Sequence, residues 1–89
     1  MLRVDITNKF KKDLEKIKKQ GKDTSKLKNI LNLLQAKTVL PTKNRDHQLK
    51  GKLKEFRECH IEPNWLLMYK VEDDTLILAG TGSHSDLFV

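Results

Sequence analysis

The chain has 89 residues, a length that allows one domain with one two-layer core and excludes a second core. Its hydrophobic residues, 37% of the total, are clustered, which excludes a disordered chain, and no apolar run approaches the ~18 residues of a membrane span. The net charge of +6 is unevenly spread: residues 1–54 carry 16 Lys and Arg against 5 Asp and Glu, a net of +11, and residues 55–89 carry 2 against 7, a net of −5. A basic first part suits a polyanion, with nucleic acid the usual case, and it equally suits a solvated lysine-rich surface; charge alone leaves both open. One cysteine, Cys59, rules out an internal disulfide and fits a reducing, cytoplasmic setting, and MLRVDITNKF lacks the apolar segment of a signal peptide.

Leu2-Arg3-Val4-Asp5-Ile6 alternates apolar and polar residues, which predicts a short strand. Thr7 or Asn8 can then cap a helix of about residues 8–20, whose apolar stripe is Phe10, Leu14 and Ile17 and whose other faces are lysine-rich. Gly21 closes it. Asp23, Thr24 or Ser25 starts a second helix with Leu27, Ile30, Leu31 and Leu34 facing inward, and the short link predicts an antiparallel helical hairpin. Residues 37–52 read as a loop, with Leu49 as its expected anchor; a loop of that length in a small domain is often functional.

From Leu53 the period changes to two. Phe56, Glu58 and His60 fall on one side of a strand, with Arg57, Cys59 and Ile61 on the other. Glu62-Pro63-Asn64 is a turn, Trp65 to Tyr69 an apolar run expected to be buried on both faces, and Glu72-Asp73-Asp74 a second turn. Thr75 to Ala79 is another strand, Gly80 to Ser83 is expected to loosen the chain, and a tail follows with Leu87 and Phe88 as anchors. The order β-α-α-β-β-β predicts a single two-layer α+β domain over residues 1–89, a helical hairpin packed on an antiparallel sheet.

His47, His60 and His84 come from the loop, a strand and the tail, and Glu58 shares a strand face with His60. Asp46, Arg57 and the lysines at 50, 52 and 54 lie close in sequence. Such a set suits phosphodiester cleavage through a ribose 2′-hydroxyl, which needs a base, an acid and cations for the charge that builds on phosphorus. Taken singly, each histidine is as readily a structural or exposed residue, and Glu58 with His60 an ordinary solvated strand face. No metal site is expected: Cys59 and His60 point to opposite faces, and no paired Cys or His spacing occurs. Cys59 falls on the core side, where a thiol is inert, and no Gly-rich phosphate loop is present.

The blocks DHQLKG (46–51), FRECHIEPNWLLMYK (56–70) and TGSHSDLF (81–88), in that order, resemble the YafQ branch of the RelE/ParE toxin superfamily. The preceding strand and two helices follow the same order, so the resemblance covers the whole chain. It implies a RelE-like fold and a type II toxin held by a cognate acidic antitoxin. The implied activity is mRNA cleavage on the ribosome, in the A site, with no cofactor, metal or membrane. It further implies His47, Glu58, His60 and His84 as the catalytic set, with Phe88 helping to place the RNA. His60 or Glu58 would be the base and His84 the acid, while His47, Arg57, Lys50 and Lys52 would support phosphate. Glu58 stands where relatives typically carry Asp, one methylene shorter. Asn64 stands where a catalytic Asp occurs; it cannot exchange protons near neutral pH but can hydrogen-bond RNA. The helix-1 lysines Lys11, Lys12, Lys18 and Lys19 are the expected ribosome contacts. Two other readings share the basic fold: a ParE-like inhibitor of DNA gyrase, and an RNA-binding module without activity.

Overall fold

Two capped helices and one sheet account for the architecture. A computed structural model describes residues 1–88. After β1 (Arg3–Ile6), the Thr7 hydroxyl accepts from the Phe10 N–H and starts α1 (Asn8–Lys19). The same hydroxyl donates to the Leu78 carbonyl at 3.0 Å, so the cap also moors the helix to a distant strand. Gly21 takes φ +74 after α1, and Asp23 caps α2 (Thr24–Gln35) by accepting from the Ser25 N–H. Phe10, Ile17, Leu27, Ile30 and Leu34 are buried, each worth about 1.5–3 kcal/mol when removed from water.

The rest of the chain comprises a 3-10 turn (Thr42–Asn44), β2 (His47–Gln48), a second 3-10 turn (Gly51–Leu53), β3 (Arg57–Glu62), β4 (Trp65–Glu72), β5 (Thr75–Gly82) and α3 (His84–Leu87). The five strands lie in the order β1-β5-β4-β3-β2. The central strand β4 carries the apolar run, and Trp65 to Tyr69 are all buried, as the sequence predicts. One sheet face, with Cys59, Trp65, Leu67, Tyr69, Leu76 and Leu78, shares a core with α1 and α2. Inside it the Trp65 indole donates to the Thr81 hydroxyl, which donates to the Leu66 carbonyl. None of the helices is long and apolar enough to cross a membrane.

Four expectations change. The sheet is mixed, because β1 pairs with β5 in parallel; the other pairings are antiparallel. The stretch 37–52 is not all loop: it holds β2 and a 3-10 turn, and its deep anchors are Leu40 and Asn44, with Leu49 only half-buried. The strand expected from Leu53 begins at Arg57, because Gly51 at φ +68 turns the chain into a 3-10 turn first. Gly80 to Gly82 do not loosen the chain but complete β5, and the tail is capped into α3.

Candidate active site

Residues directly opposite one another in neighbouring strands project from the same sheet face. The register pairs His47 with Glu58, Glu58 with Met68, and His60 with Leu66; Met68 and Leu66 in turn face Gly80 and Gly82. All these side chains therefore leave the sheet on the side away from the shared core. Leu66 and Met68 form a buried apolar floor, and Glu58 and the two histidines stand beside it.

The glycines explain how the third histidine-bearing element reaches this face. A Cβ on Gly80 would lie 3.0 Å from both the Leu87 Cδ2 and the Asp13 Oδ2, and Gly82, at φ +150, has the Asp86 carboxylate 2.9 Å from where its Cβ would be. α3 is thus seated on bare backbone. Ser83 and Asp86 form a reciprocal capping box, and Lys16 reaches Asp86 at 2.9 Å from α1. Lys16, followed by the Ser83 bonds, holds the Asp86 carboxyl down at about 2. This arrangement brings His84 out at the start of α3 with the Phe88 ring 4.9 Å away. Two interstrand steps separate His60 from Gly82, about 10 Å between backbones.

Glu58 is the polar centre. It is only 5% exposed, and its Oε1 lies 3.7 Å from His47 Nε2 and 3.8 Å from His60 Nε2. The far nitrogen of each ring meets a backbone carbonyl: His47 Nδ1 lies 2.7 Å from the Arg45 oxygen and His60 Nδ1 lies 3.2 Å from the Pro63 oxygen. A carbonyl only accepts, so Nδ1 carries the proton in both rings and Nε2 is the atom that can gain or lose one. Both exchangeable nitrogens thus face one carboxylate, and an oxygen seated beside them can reach either.

A second cluster, behind the sheet, fixes His47. β2 has only two residues, too few to hold a register alone. Its neighbour Asp46 accepts from the Tyr69 hydroxyl at 2.6 Å and from Arg57 Nε at 3.3 Å. Burial, then the Asp46 carboxylate, pushes the Tyr69 phenol well above its usual range, so it stays a donor. Burial opposes the Arg57 charge, but its hydrogen bonds to Tyr69 and Asp46 outweigh it and raise the guanidinium further. Adjacent residues point to opposite faces. Clamping Asp46 and Arg57 behind therefore sets His47 against Glu58 in front.

The structure brings together His47, Glu58 and His60, and sets His84 with Phe88 on the same face. It does not bring Arg57 there: that side chain lies behind the sheet, on the side of Cys59, as its strand parity predicts. Lys50 and Lys52 are exposed around the second 3-10 turn, Asn64 is exposed in the β3–β4 turn, and Lys11, Lys12, Lys18 and Lys19 are exposed on α1. Cys59 is fully buried, and burial foremost pushes its thiol up to about 12. Among the described residues, no three His, Cys, Asp or Glu side chains are arranged to hold a metal ion. Sequence reasoning missed the Tyr69–Asp46 bond and the role of Asn44, which donates to the His60 carbonyl at 2.7 Å. Asp46 stood next to His47 as a clue; for Asn44 there was none.

Comparison with known proteins identifies the fold and the family. Residues 2–89 match the family model described as bacterial toxin of type II toxin-antitoxin system, YafQ. The mRNA interferase toxin YafQ of Escherichia coli K12 is 38% identical over 86 residues, which span 96% of this chain and 94% of that protein. A copper-bound mutant toxin from Helicobacter pylori superposes with a TM-score of 0.96 at 46% identity, covering 99% of this chain and all of the other. YafQ in the Escherichia coli DinJ–YafQ complex superposes with a TM-score of 0.91 at 36% identity over the full length of both chains. The chain belongs to the YafQ family of bacterial type II toxin–antitoxin toxins.

Proposed function

We propose that this toxin is an endoribonuclease that cuts mRNA on the ribosome by acid–base catalysis through the ribose 2′-hydroxyl. The observation that carries the reading is the pair of imidazole Nε2 atoms aimed at one buried carboxylate, on the sheet face away from the core shared with α1 and α2. His60 Nε2 takes the 2′ proton. The 2′ oxygen then bonds to phosphorus as the bond to the 5′ oxygen breaks, and His84 protonates the departing 5′ oxygen. Glu58 is nearly buried and serves to stabilise the His60 imidazolium, while His60 is the more accessible atom for base work. His47 donates to a phosphate oxygen when protonated. Phe88, beside His84, offers a face for a base, and Lys50, Lys52 and Asn64 offer donors to the RNA. The scheme uses side chains alone. Neither a gyrase-binding role nor a passive RNA-binding role needs three histidines and a carboxylate on one face.

The exposed α1 lysines Lys11, Lys12, Lys18 and Lys19 dock on ribosomal RNA in this reading, and a flat salt dependence of ribosome binding would count against them. The neutralising partner is an antitoxin, by analogy with the solved DinJ–YafQ complex, and the basic surface of this chain calls for an acidic segment that folds on binding. The test is cleavage of a translated mRNA by purified protein, with and without ribosomes, with a chelator added in the free-RNA arm. Ribosome-dependent cuts within the reading frame that vanish in His84→Ala support the reading. No cleavage, with growth still blocked in cells, transfers it to a binding mechanism.

A further inference from the structure

β2 covers the outer edge of β3 only opposite Arg57 and Glu58. Beyond that, from His60 to Glu62, the edge is closed by the Thr42–Asn44 turn, pinned through the Asn44 bond to the His60 carbonyl. The turn stands off from the strand and leaves a cleft of about 340 Å³ between Lys43, Asn44 and Arg45 on one side and His60, Ile61, Glu62 and Pro63 on the other. A second hollow of about 300 Å³ continues it along Lys43, Asn44 and Ile61 toward α2. His60 is among its lining residues, so the cleft adjoins the reactive cluster.

Its lining has two chemistries. Ile61 and Pro63 supply apolar wall. Lys43 and Arg45 supply positive charge, and neither takes part in any ion pair among the described residues; the one carboxylate in the lining, Glu62, is already paired with Lys26 at 2.7 Å. Asn44 is only 5% exposed and spends its amide N–H on His60, which fixes the side chain and leaves its oxygen as an acceptor at the cleft. Apolar wall, a fixed acceptor and two free cations match a nucleotide: a planar base, a ring N–H or amino group, and a phosphate.

We infer that this cleft is a nucleotide subsite that holds the RNA residue adjoining the scissile bond, on the opposite side of His60 from α3. The base lies between Ile61 and Pro63, and Lys43 and Arg45 meet the flanking phosphate. The inference rests on the ribonuclease reading for its place in catalysis, but binding to the cleft is measurable without cleavage. None of Lys43, Asn44 and Arg45 transfers a proton. Their role is to fix register, and the cut-site preference of the toxin then resides partly in Asn44.

The experiment is an NMR titration of the ¹⁵N-labelled protein with a single-stranded 2′-fluoro hexanucleotide, which cannot be cleaved through the 2′ oxygen. Shifts at Lys43, Asn44 and Ile61 that are lost in Lys43→Gln/Arg45→Gln support the subsite. Gln removes the charge and keeps a polar, unbranched stem, and the Arg45 carbonyl that orients His47 is untouched. In the ribosome assay the same variant should raise KM by on the order of tenfold with a smaller change in kcat, and Asn44→Ser should broaden the base preference beside the cut. Shifts confined to His84 and Phe88, or no shifts at all, overturn the subsite. So does a variant with wild-type KM and cut sites. Shifts in the cleft without any cleavage by the wild type would leave the subsite standing and remove the ribonuclease reading instead.

Discussion

The two faces of β3 do different work with the same backbone. Behind the sheet, Cys59 and Tyr69 are buried against the helices with Asp46 and Arg57 half-buried beside them, and the polar contact there is tight, 2.6 Å from Tyr69 to Asp46. In front, Glu58 and the histidines stand at 3.7 and 3.8 Å, beyond direct hydrogen-bond reach. The back is satisfied and the front is not. A strand that alternates its side chains can anchor itself through one set and leave the other available to a substrate. Stability and activity should therefore separate by residue parity.

The largest effects should come from the front. His84→Gln and His60→Gln should each lower the cleavage rate by about 10²–10⁴-fold, while thermal melts stay level or rise, because the groups removed stabilise little in the fold. A His60→Ala variant that unfolds would make His60 a structural residue and break the comparison. Next in size is the back. Leu67→Ala, at a fully buried position, should cost about 2–5 kcal/mol in urea unfolding and leave the rate per folded molecule near wild type.

Tyr69→Phe sharpens the comparison because it touches both faces. Loss of the hydroxyl leaves Asp46 short of a donor and should cost about 1–3 kcal/mol. If the clamp sets His47, cleavage by the folded fraction should fall as well, and the His47 ring signals should move while those of His60 do not. The smallest effect concerns pH. Asp86 lies at about 2 in the fold against an ordinary 3.8, so its contribution is complete above about pH 4 and is lost as pH falls toward 2. α3 should loosen over that window before the sheet does, seen as loss of the His84–Phe88 ring contact by NMR.

Elements with a long period were legible in the sequence. Two helices, the turn at Pro63, the buried run of β4 and the shared face of Glu58 and His60 follow from spacing alone, and the three motif blocks pointed to the family. The missed features are short. β2 has two residues and α3 has four, too few to show a period, although Ser83 and Asp86 carried a capping-box signal. Gly80 and Gly82 resembled a breaker, because glycine in a strand looks the same whether it loosens the chain or makes room for a helix. The site depends on such contacts: which side of the sheet α3 covers, and which residue meets Asp46, are tertiary facts.

The brevity of β2 has a consequence for control. Two residue pairs at a sheet edge form a unit whose opening costs far less than global unfolding. Amide exchange at His47 and Gln48 should accordingly be fast beside that of β4. A partner that pulls this short edge away from β3 would remove one histidine from the carboxylate while the core stays intact. The toxin could be disarmed by local opening and rearmed when the edge closes again, with no refolding in between.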